Sequence, residues 1–157
     1  MTKRKKIGEY IIRGQINCNT YNGSKNRIQL FDGRFDTGYQ VKEFIICPKF
    51  PSVTGEFVAK LCTEPESTIA EFHWDDVRQQ AWATWGVPIS SRAQEFNLVP
   101  RNSLVIEDLW LSIYTTESDP SNVLCNYYIL LEKYEIDAWD GAAALVENLS
   151  QAVNQQN

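Results

Sequence analysis

The chain has 157 residues, 43% of them hydrophobic and 12% aromatic, and a net charge of −5. Such a chain can bury a core of its own, which excludes disorder and any need for disulfides or metals to fold. The acidic balance argues against a broad nucleic-acid-binding face on the domain, and no apolar run reaches membrane-spanning length, so no membrane insertion is expected.

Lys3, Arg4, Lys5 and Lys6 hold four of the fifteen basic residues. They read as a basic N-terminal arm, residues 1–6, ahead of a domain over 7–136. The plain reading is a solvated end. The functional one is contact with phosphate or with an acidic neighbour, including packaged nucleic acid. The stretch from Ile7 to Arg13 lacks the apolar centre of a signal peptide. Synthesis in a host cytoplasm with no signal peptide is therefore expected.

Residues 7–16 alternate loosely and predict a first strand. Residues 17–26 are Asn-rich with an Asn-Gly turn signal. Arg27 to Phe31 predicts a short strand with Ile28 and Leu30 on one face, and Asp32-Gly33 a turn. Tyr39 to Cys47 begins by alternating and ends apolar, which predicts a half-exposed start and a buried end. Pro48 and Pro51 stop it. Glu56 to Cys62 alternates, with Phe57, Ala59 and Leu61 facing one way. Thr68 to Phe72 predicts a further short strand. His73 to Val77 predicts a helical turn capped by Asp residues. Gln79 to Trp85 reads as a strand, and residues 86–101 as a loop with room for one short strand. Residues 104–116 and 123–136 predict two long strands joined by one turn, 117–122. Seven or eight short strands at roughly ten-residue spacing predict an all-β fold, an antiparallel β-sandwich or a barrel, and the sandwich is the reading carried forward.

Residues 137–157 form a separate extension. Asp137 is a plausible helix cap, and Trp139, Ala142, Val146, Leu149 and Val153 recur at spacings of three and four. This predicts a C-terminal amphipathic helix. An isolated helix of this length is marginal in water, so the stripe needs a surface, either the chain's own sandwich or a neighbouring subunit.

Cys18, Cys47, Cys62 and Cys125 are scattered, with no closely spaced pair for zinc. They read as reduced, small hydrophobes. Phe35 to Gly38 contains Asp-Thr-Gly and resembles the active-site loop of aspartic proteases, but Arg34 and Tyr39 depart from that pattern. A turn between strands is the simpler reading. His73 is the single histidine, and Asp32 with Asp36 lacks EF-hand spacing. Glu107 and Asp108 are adjacent on a strand, so they point to opposite faces. No cofactor, metal or catalytic residue is expected, and the chain is read as not an enzyme.

Arg27 to Tyr39 and Asn126 to Ile136 resemble strands of small jelly-roll coat, cement or decoration proteins of bacterial viruses, a likeness spanning residues 27–150. That resemblance implies an eight-stranded jelly roll, a place in the virion, homo-oligomerisation and contact with other capsid proteins. Residues 3–6 and the stripe from Trp139 to Val153 would carry the contacts. The alternative is a carbohydrate- or receptor-binding sandwich that uses Trp74, Trp82, Trp85 and Trp110 as a platform.

Overall fold

The structure is a computed structural model. It describes residues 4–18, 24–50, 55–65, 71–86, 97–100, 104–117, 119, 123–137, 142–143 and 146. These residues form two antiparallel sheets. β1 (Lys5–Asn17), β8 (Leu124–Glu135) and β3 (Thr37–Pro48) make the first, in the order β1-β8-β3. The second runs β2-β7-β4-β5-β6, from β2 (Ser24–Ile28), β7 (Leu109–Thr115), β4 (Phe57–Cys62), β5 (Gln79–Trp85) and β6 (Asn97–Leu98).

The core lies between the sheets because each strand aims alternate residues inward. Phe57, Ala59 and Leu61 of β4, Leu109, Leu111 and Ile113 of β7, and Ile129 and Leu131 of β8 are all fully buried there. Each such large aliphatic or aromatic side chain contributes about 1.5–3 kcal/mol by leaving water. The sequence pattern of β4, β5 and β8 carries through to the structure.

The pairing is nested. β1 pairs with β8, β2 with β7, and β4 with β5. Between these, Tyr39 of β3 exchanges two backbone hydrogen bonds with Val105: Tyr39 N–H donates at 2.7 Å and Val105 N–H at 2.8 Å. Residues 104–106 therefore add to the outer edge of β3, and the chain then crosses to the second sheet as β7. The long strand predicted over 104–116 is in fact these two pieces. β7 and β8, expected to follow one another through a single turn, lie in different sheets and do not pair with each other.

β3 departs from the sequence expectation at its start, while its end alternates, with Phe44 and Ile46 buried. Its start, Thr37 to Val41, is buried, while Lys42, Glu43 and Ile45 are exposed. Residues 104–106 cover the start, and a Cβ on Gly38 would come within 2.7 Å of Leu104 Cδ1. A register shift between Val41 and Glu43 follows, and Ile45 then faces away from the core. The Asp32-Gly33 turn forms as expected, with Gly33 at φ +85°, a conformation that glycine adopts without a Cβ clash.

The outer face of the second sheet is also covered. Lys60 of β4 is fully buried and donates to Glu71 O at 2.9 Å. Trp82 Nε1 donates to Gln79 Oε1 at 2.8 Å. Residues 73–79 fold over this face as successive turns, closed by Asp76 N–H to His73 O and Gln79 N–H to Asp76 O. The strand expected over 68–72 falls mostly outside the described residues. So does the helix expected over 137–153, of which Ala142, Ala143 and Val146 have helical backbone and are exposed.

Candidate assembly surface

The residues singled out by sequence have varied fates. Lys3, Trp139, Leu149 and Val153 lie outside the described residues. Arg4 is exposed just ahead of β1. Lys5 and Lys6, read as part of an arm, are the first two residues of β1, opposite Glu135 and Tyr134. Ala142 and Val146 are exposed.

Lys6 joins a charged cluster on the outer face of the first sheet. Its ammonium sits 3.0 Å from Glu9 Oε2 and 3.0 Å from Glu132 Oε1. Lys42 approaches Glu132 Oε2 at 3.4 Å, and the Tyr134 hydroxyl donates to the same oxygen. The Tyr134 bond, then Lys6 and Lys42, lower the Glu132 carboxyl to about 2, so it stays ionised through the acidic range. The Glu132 carboxylate in turn raises the Tyr134 phenol.

Beyond the cluster the same face turns apolar. Ile12 and Ile16 of β1 pack on the core, so Glu9, Ile11, Arg13 and Gln15 point outward. Ile11 lies opposite Leu130, and Arg13 opposite Tyr128, which faces Ile45 on β3. Ile11 is 57% exposed and Ile45 43%. Next to them Arg13, Gln15, Ile45, Cys47, Asn126 and Tyr128 line an open groove of about 560 Å³. Gln15 Nε2 donates to Asn126 Oδ1 at 2.9 Å along one wall.

Sequence reading missed this surface because its residues lie on three strands far apart in the chain. The one local signal was an isoleucine, Ile11, at the outward parity of β1.

Other candidates resolve into structural roles. Asp36 accepts two bonds from Arg34, both at 2.8 Å, and Arg34 holds its carboxyl below the usual value. Both carboxylate oxygens are therefore taken up by an ion pair within the same segment. Thr37 and Gly38 open β3 and are not part of a turn. Asp32 accepts from Lys133 at 2.7 Å, from Thr37 Oγ1 and from Arg34 N–H. His73 Nε2 lies 3.1 Å from Glu71 Oε2 on the surface. Among the described residues, no group of three or more His, Cys, Asp or Glu could hold a metal ion. The hydrogen bond with Cys18, and then burial, push the Cys125 thiol far up, so it remains a protonated, inert packing group.

The four tryptophans do not make one platform. Trp82 is buried, Trp85 is half-buried against the core on the opposite face of β5, Trp110 is half-buried on β7, and Trp74 is exposed with its ring 6.0 Å from Trp82.

No protein-family model matches the chain, and no curated protein is similar to it. Among solved structures, it is similar to a chain from the structure of turnip yellow mosaic virus at 100 K, a plant virus and not a bacterial one. The similarity has a TM-score of 0.34 at 10% identity and covers 83% of this chain and 93% of that chain.

Proposed function

We propose that the chain is a virion structural subunit, a coat or cement protein that acts by self-assembly and capsid contacts and not by catalysis. The observation that carries the reading is the nested pairing: β1 with β8, β2 with β7, β3 with residues 104–106, and β4 with β5. Four nested antiparallel pairs divided between two sheets support a jelly-roll reading of the sandwich, a fold used by capsid and lectin domains. Fold alone does not assign function, so the surface must decide. An outward apolar stripe beside ion pairs fits a protein–protein contact better than a sugar platform, since Trp82 is buried and Trp85 turns to the opposite face, half-buried against the core.

Electron microscopy of the purified chain, concentrated at low and moderate salt, tests this. Discrete rings, shells or sheets are expected. A dispersed monomer whose tryptophan fluorescence is quenched by sugars would replace this reading with a lectin-like one.

A further inference from the structure

β1 is a long strand with one side unpaired among the described residues. It spans 13 residues, and among the described residues it pairs only with β8. None of its residues is buried. Its register with β8 runs without a shift from Gly8 to Asn17. Just past its end, Cys18 N–H donates to Val123 O at 2.8 Å. In an antiparallel ladder, alternate residues turn both backbone groups to the same side. Cys18 therefore fixes the even-numbered residues as those bonded to β8. Glu9, Ile11, Arg13 and Gln15 turn their N–H and C=O toward the free edge. This stretch has no proline and no bulge, two of the devices that guard an edge against pairing.

The side chains along this edge are self-complementary. Antiparallel pairing of two copies about Ile11 sets Glu9 opposite Arg13 of the second copy, and Arg13 opposite its Glu9. Ile11 meets Ile11, Tyr10 meets Ile12, and Gly8 meets Gly14. Within the unshifted stretch from Gly8 to Asn17, the other two-fold registers lose this match, and a register centred on Ile7, which would set Glu9 opposite Lys5, runs across the shift between Lys6 and Gly8. Centred on Glu9 or on Arg13, like charges meet. Centred on Tyr10 or Ile12, each charge faces an apolar or neutral residue. Opposite charges directly across a ladder stabilise it, and like charges there destabilise it. Glu9 and Arg13 are both exposed and available for the contact. The Lys6 ammonium already beside Glu9 is an exposed pair and competes weakly.

We infer that β1 pairs antiparallel with β1 of a second copy of this chain, about a two-fold axis at Ile11. Two three-stranded sheets then become one continuous sheet. This inference rests on the assembly reading and names the partner and the contact. Such an isologous interface uses one patch twice, so a single charge reversal is felt at two places.

The test is a dilution series of the full chain by light scattering and analytical ultracentrifugation, with four variants. Glu9→Arg alone and Arg13→Glu alone each place like charges across the axis and should weaken the dimer roughly tenfold or more. The double reversal Glu9→Arg with Arg13→Glu restores opposite charges and should regain most of that loss. Ile11→Pro removes a donor from the free edge only and should abolish pairing. Circular dichroism checks that each variant is folded, and the charge reversals decide the matter if the proline variant is not. An oligomer that survives both single reversals overturns the β1 contact and leaves the assembly reading standing. A chain that is monomeric at every concentration overturns both.

Discussion

Asp108 ties the start of β7 to the chain leaving β2. Its carboxylate accepts from Leu30 N–H at 2.9 Å, from Phe31 N–H at 3.2 Å and from the Arg27 guanidinium, with Nε at 2.7 Å. Burial pushes this carboxyl up, but the three donors outweigh it and hold the group below the usual value. Asp108→Ala leaves two backbone donors and an arginine without their acceptor. A loss of about 2–3 kcal/mol is expected, measurable by urea denaturation. A change within error would mean that the loop re-pairs with water. Glu132 gives a pH signature at the same scale. Its carboxyl falls from an ordinary 4.5 to about 2 in the folded chain. A depressed value means that the stabilisation is present above 4.5 and is lost as the pH falls toward 2. Glu132→Gln should therefore flatten the stability profile between those limits and leave the profile above pH 5 parallel to the parent.

Strand entrances depend on close backbone approach. Glu56 N–H donates to Thr116 Oγ1 at 2.9 Å, and Thr115 Oγ1 and Thr116 N–H both donate to Glu56 O. This lacing draws Gly55 against Glu117, where a Cβ would lie 2.9 Å from the Glu117 backbone nitrogen. Gly55→Ala should cost about 1–3 kcal/mol, because backbone and not a movable side-chain tip must yield. A thermal melt reads it, and an unchanged midpoint would show that this approach is not maintained. Much at this scale was legible in the sequence. The alternation of Phe57, Ala59 and Leu61 placed β4 with its inward face, and Trp82 and Trp85 marked β5. The burial of β3 was not legible, because its start is covered by residues 104–106, over sixty positions away. Nor was the crossing at Asp108 visible, since Glu107 and Asp108, which interrupt the apolar run there, also fit one continuous strand as a pair on opposite faces. The outward stripe was hidden for the same reason: Ile11, Leu130 and Ile45 become neighbours only when β1, β8 and β3 pair.

At the scale of the whole molecule, the two sheets are unlike on their outer sides. The second is overlaid by residues 73–79, with Lys60 and Trp82 buried beneath. Among the described residues, nothing overlies the first, which carries exposed isoleucines, ion pairs and a 13-residue edge. That difference points assembly toward the first sheet. A contact carried partly by Glu9 and Arg13 should loosen as salt rises, because screening weakens exposed pairs. Its backbone hydrogen bonds should persist, so the dependence should be modest. The most direct measurement is the solution mass of the unmodified full chain by light scattering across a hundredfold range of concentration. The account predicts a mass that climbs from 18.0 kDa at high dilution to twice that value or more on concentration. A mass fixed at 18.0 kDa across the whole range would contradict it.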